Sequence, residues 1–135
     1  MLEHPELELI ERLPLHRYFG VQKLVLGKKE AFFEIEVSDR TINIFSRLHG
    51  GVFYGLCDLV AYMAILSELE PRETAVTQDI HVSVLRPAKI GDLVSFRGKL
   101  VQKGKRIVFS NGEAFIDGKL AAVAHVTKSI VPYDH

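Results

Sequence analysis

The 135-residue sequence has no tryptophan, a single cysteine and no excess charge, with seventeen basic residues set against seventeen acidic ones. A lone thiol, Cys57, forms no intrachain disulfide, so the fold must rest on its own core. Without net positive charge the chain lacks the surface that binds duplex phosphate sequence-independently, and nucleic acid is excluded as a partner. The opening Met1-Leu2-Glu3-His4-Pro5 lacks the basic and apolar regions of a signal peptide, and a cytoplasmic protein is expected. A long hydrophobic run is missing too. The nearest candidate, residues 52–66, is interrupted by Asp58. A bilayer needs about 17 to 25 apolar residues, and a central aspartate costs about 2.5 to 3.5 kcal/mol on insertion scales. That segment reads as a buried helix, with no membrane partner. What is present is a 47% hydrophobic content, which excludes disorder and supplies one domain over residues 1–135 with a substantial core.

Residues 5–13 place Leu9, Ile10 and Leu13 among glutamates as a short amphipathic helix that Pro14 ends, so residues 1–19 form an N-terminal helical extension. Two strand-like runs, 21–26 and 31–37, flank Gly27-Lys28-Lys29; Ala31, Phe33, Ile35 and Val37 alternate with Phe32, Glu34 and Glu36. Residues 38–48 hold no period and form a loop. Residues 50–70 are apolar nearly all round, with Pro71 as the stop, and such a helix must be covered on most sides. Four more strands follow at 75–85, 93–102, 106–116 and 120–131, separated by Pro87 with Gly91-Asp92, by Lys103-Gly104-Lys105 and by Asp117-Gly118. Six strands with short connections make an antiparallel sheet, since parallel neighbours need crossover helices. The class is α+β: a sheet of about six strands wrapped around one long buried helix, the arrangement of the hotdog fold.

Leu48-His49-Gly50-Gly51 opens the buried helix, and Asp58 lies inside it. Paired glycines permit close approach to the backbone, and the first amides of a helix, unpaired within it, can donate to a carbonyl gaining negative charge, helped by the helix dipole. A carboxylate within an apolar helix is costly unless paired, hydrogen-bonded or used, which makes Asp58 the sharpest candidate. The plainer role for Asp58 is a bond to a neighbouring backbone group or serine. Gly50 and Asp58 lie about 12 Å apart along the axis at about 1.5 Å per residue, too far for one aspartate side chain. If Gly50 or Gly51 polarises a carbonyl that Asp58 attacks or to which it delivers a water, the two belong to different chains, and a two-fold dimer with composite sites follows.

Asn43, His49-Gly50-Gly51, Asp58, Thr77 and Arg86-Pro87-Ala88-Lys89-Ile90-Gly91-Asp92 together resemble the PaaI-like branch of hotdog acyl-CoA thioesterases, over roughly residues 20 to 130. The resemblance implies hydrolysis of an acyl- or aryl-CoA thioester to free acid and coenzyme A. It implies Asp58 as nucleophile or general base, the Gly50 amide as the oxyanion site, and Asn43, His49 and Thr77 as the remaining catalytic positions. Two-fold dimers that pair again into tetramers occur in that family. No cofactor is implied beyond the coenzyme A of the substrate, and the six histidines show no zinc-ligand spacing, so no metal is expected.

A cation at His49 would oppose the helix dipole, which favours positioning over proton transfer. Asn43 serves equally as a loop cap. Strand alternation sets Thr77 with Asp79, His81 and Ser83 opposite Val76, Ile80, Val82 and Val84, so Thr77 reaches the site only near the strand start, at a bulge or across a subunit seam. Gly51, Phe53, Tyr54 and Tyr62 are candidates to line an acyl pocket, against the simpler reading of the aromatics as core; Phe45 belongs with them. Arg86, Lys103 and Arg106 are candidates for the coenzyme A phosphates, against the alternative of solvated turns. The rival function is a hotdog domain that binds acyl-CoA or another apolar ligand as sensor or carrier without turnover, with Asp58 a structural acid.

Overall fold

The computed structural model describes residues 1–134. Helices α1 (Pro5–Arg12) and α2 (Pro14–Phe19) precede strands β1 (Gln22–Gly27) and β2 (Glu30–Glu36). A single turn of 3-10 helix (Asp39–Thr41) leads to α3 (Gly50–Met63), and a second one (Leu66–Glu68) to β3 (Glu73–Val84), β4 (Leu93–Lys103), β5 (Ile107–Ile116) and β6 (Lys119–Pro132). The six strands form one antiparallel sheet in the order β1-β2-β4-β5-β6-β3. Helix α3 packs against β2, β3, β4, β5 and β6, which is the wrapped arrangement the sequence predicts.

Turn chemistry fixes the registers. Asp117 and Gly118 both have positive φ, 51° and 75°, the type I′ geometry whose twist suits a two-residue hairpin. The helix is seated by small residues: Ala31, Gly98, Gly112 and Ala124 are register partners across β2, β4, β5 and β6. A Cβ on Gly98 would lie 2.0 Å from the Val60 carbonyl oxygen, and one on Gly112 2.6 Å from that of Cys57. The backbones of helix and sheet therefore touch there. Ser110, fully buried, donates to the Ala61 carbonyl at 2.8 Å and holds the same seam further along.

Three expectations need correction. The N-terminal extension carries two helices, because Pro14 ends α1 and then serves as the first residue of α2, a position where its missing N–H costs nothing. Helix α3 stops at Met63 instead of running to Glu70. Beyond it the chain tightens so that Ile65 packs with Ala75, Leu100 and Val108, and Ser67 accepts the Lys29 amide. The even alternation expected of β3 is broken by a register shift between Thr77 and Asp79, which leaves Val76 outward at 42% exposure; Val84, at the strand end, is 43% exposed. The apolar stretch Gly50–Glu68, long and apolar enough to cross a membrane, is mostly buried against this sheet.

Candidate active site

The loop before α3 is built around Asn43. Its Oδ1 accepts from the amides of Phe45 and Arg47 at 2.9 and 3.1 Å, and its own amide donates to the Arg47 carbonyl. That is the loop-capping role. The Leu48 amide donates to Ala88 and the His49 amide to Thr41, tying the loop to the segment after β3. Phe45 at the loop tip is 73% exposed.

His49 is the N-cap of α3, and its Nδ1 accepts from the Gly51 amide at 2.8 Å. An accepting Nδ1 carries no proton, which sets the neutral tautomer with Nε2–H outward. The ring therefore positions and donates, as its place at a positive helix end favours. Gly51 is corrected accordingly: its amide is occupied by His49 and is not offered to a ligand. The Gly50 amide makes no hydrogen bond among the described residues, and a Cβ there would meet nothing within 4 Å. It is the open donor of this helix start.

Asp58 Oδ1 receives two hydrogen bonds, from Thr77 Oγ1 at 2.7 Å and from Lys128 Nζ at 3.0 Å; Lys128 Nζ also donates to Thr77 Oγ1 at 2.6 Å. The bulge after Thr77 turns its hydroxyl onto the helix, the second of the three routes the sequence leaves open. The side chain of Lys128 is 3% exposed and that of Asp58 35%, so the cation is sealed beneath an accessible carboxylate. Burial pushes the Lys128 ammonium below its ordinary pKa, and Asp58 partly restores it. Tyr62 lies over the same ammonium, 5.5 Å from ring centre to Nζ, and its hydroxyl donates to Glu6 on α1. Burial and Glu6 hold that phenol above its usual range. Cys57 is fully buried, and its thiol is pushed up to about 12 by burial and by the charges of Asp58 and Glu113.

Lys128 escapes the sequence reading. Its signal is a lysine in the inward frame of Ala122, Ala124 and Val126, all buried. Phe53 falls on the simpler of its two readings: at 1% exposure and tilted against Phe96 it packs in the core of this chain. Tyr54 is 47% exposed on the open side of α3. The basic candidates separate. Arg86 follows β3 beside Ala121, whereas Lys103 and Arg106 sit at the β4–β5 turn, beside Val108 and Ile130, at the other end of the sheet. No single chain gathers them. A concavity of about 590 Å³ on the far face of the sheet, lined by Phe32, Arg97, Lys99 and Asn111 among others, includes none of the Asp58 cluster.

Residues 45–127, more than half of the chain, match the thioesterase superfamily. The chain belongs to this family. Over 99 residues it is 28% identical to acyl-coenzyme A thioesterase 13 of Mus musculus, covering 72% of this chain and 70% of the relative. Among solved structures it resembles thioesterase HI1161 of Haemophilus influenzae, with a TM-score of 0.87, 25% identity and coverage of 100% and 94% of the two chains. It also resembles the phenylacetic acid degradation protein PaaI of Thermus thermophilus, with a TM-score of 0.79, 26% identity and coverage of 87% and 98%. The fold is thus the hotdog fold in its PaaI-like form, and family membership supports thioester hydrolysis as the general activity.

Proposed function

We propose that the protein hydrolyses acyl-coenzyme A thioesters in composite sites of a homodimer, with the Gly50 amide of one chain facing Asp58 of the other. The observation that carries this reading is the pairing of an accessible carboxylate with an open helix-start amide that lies too far away on the same helix, about 12 Å along the axis. In the site, the Gly50 N–H and the His49 Nε2–H stabilise the carbonyl oxygen as it gains charge. Asp58 either takes a proton from the attacking water or attacks the carbonyl carbon itself. In the first case the tetrahedral intermediate expels the thiolate and the proton passes to it. In the second, expulsion of the thiolate leaves an acyl-Asp58 anhydride, which a water then hydrolyses to the free acid and the carboxylate. Thr77 orients Asp58, and Asn43 shapes the loop that sets His49 in place.

The sheet supports the geometry. β3 is an edge strand, so one side of the strand that carries Thr77 is open to a second copy. Arg86 lies at the His49 end of the sheet and Lys103 with Arg106 at the other. In a two-fold dimer whose helices run antiparallel, cations from both chains converge on the phosphates of one coenzyme A, although in one chain they are apart. Tyr54, exposed on α3 near the glycines, and Phe45 at the loop tip are the exposed aromatics available to meet the acyl group.

Asp58→Asn keeps the shape and removes the charge. Assayed with a panel of acyl-CoA thioesters and detection of free thiol, it is expected to lose about 10²-fold or more in kcat, with a folded circular-dichroism spectrum. Turnover at the parent rate would overturn the reading and leave a binding domain with a structural acid.

A further inference from the structure

Asp58 does not present two equivalent oxygens. Oδ1 accepts from both Thr77 and Lys128, while Oδ2 has no hydrogen-bond partner among the described residues. The side chain is 35% exposed, whereas the lysine that binds it is 3% exposed. We propose that Lys128 is a positioning residue for the thioesterase reaction: together with Thr77 it ties down Oδ1 and so presents Oδ2 as the reacting oxygen. This inference rests on Asp58 being the working carboxylate.

The placement of Lys128 makes the ammonium specific to that task. Its register partners are Thr77 on β3 and Val108 on β5, neither of which titrates near neutrality. From α3 it faces Asp58 and the ring of Tyr62, with Cys57 next in the chain, and behind Tyr62 stands Glu6 of α1. The Tyr62 phenol and the Cys57 thiol are both held neutral well above pH 7. Asp58 is therefore the anion that the buried cation directly contacts. A purely structural lysine on a strand would extend its head to water; this one turns its ammonium under the carboxylate and also donates to the hydroxyl that shares Oδ1. Without the cation, Oδ1 loses one of its two donors and the carboxylate is free to rotate, which lowers kcat and leaves KM nearly unchanged.

The experiment compares pH–rate profiles of the parent, Lys128→Met and Lys128→Arg, corrected for spontaneous thioester hydrolysis. Lys128→Met is expected to lose at least tenfold in kcat with KM within about twofold, and to lose the parent's alkaline limb. The parent should show an alkaline limb below the ordinary lysine value of 10.5, which Lys128→Arg displaces upward because a guanidinium stays charged. A measurement on the parent alone covers the case in which either variant fails to fold: with ¹³Cε-labelled lysine, the Lys128 resonance must titrate together with the alkaline limb. Coincident profiles in parent and variants, or a Lys128 titration unrelated to the rate, would overturn the proposal. Asp58→Asn separates the two claims: if it is inactive while Lys128→Met behaves as the parent, only the role of Lys128 falls.

Discussion

Cys57 and Asp58 are neighbours in sequence with opposite fates, because adjacent helix positions point about 100° apart. One is sealed in the core and the other meets the surface. The Cys57 thiol, raised from 9.0 to about 12, is a group whose folded pKa exceeds its unfolded value. The stability it contributes is complete below pH 9 and is lost as pH rises toward 12, on the order of 4 kcal/mol at about 1.36 kcal/mol per unit. Tyr62, also raised, acts in the same direction at still higher pH. Lys128, lowered, acts oppositely, since its protonation becomes less of a burden as pH approaches 10.5. Cys57→Ala should therefore flatten the fall of the urea midpoint between pH 9 and 11; an unchanged slope would assign the alkaline loss to other groups. At this scale Asp58 is legible as a carboxylate inside an oily helix, and Asn43 as a loop cap. Lys128 is not legible in the same way, because its partner lies 70 positions away, and the bulge that turns Thr77 inward leaves no mark in residue type.

At the scale of elements, turns and strands follow from glycine, proline and alternation, and the strand limits deviate from the sequence reading by only a residue or two. The end of α3 does not follow, since Ala64, Ile65 and Leu66 continue the apolar content without continuing the helix. The seat of that helix is a contact between backbones, and two substitutions of the same chemistry test it with opposite signs. Gly98→Ala puts a methyl group into the Val60 carbonyl and should destabilise by about 3 kcal/mol, the upper part of the usual overpacking range. Gly55→Ala, on the exposed side of α3 with its nearest neighbour 3.9 Å away, should stabilise by about 0.5 to 1 kcal/mol through lower backbone entropy in the unfolded chain. Thermal or urea unfolding measures both. A neutral Gly98→Ala would mean that the helix sits further from the sheet than described.

For the whole molecule, family and fold are legible because the loop, helix and strand pattern occur together; the site is less so, since in the proposed dimer its two halves come from different chains. The open edge of β3, the Gly50 amide without a partner among the described residues and the divided basic residues are what that dimer, with each catalytic centre spanning two copies, would bring together. Complementation tests this most directly. Gly50→Pro removes the donor at a helix position that tolerates proline, and Asp58→Asn removes the carboxylate. Each alone should be nearly inactive. Unfolded together in equal amounts and refolded, half of the dimers would be mixed, each with one of two sites intact, so about a quarter of the parent activity should return. Activity no higher than the mean of the two variants measured separately would contradict a site shared between chains.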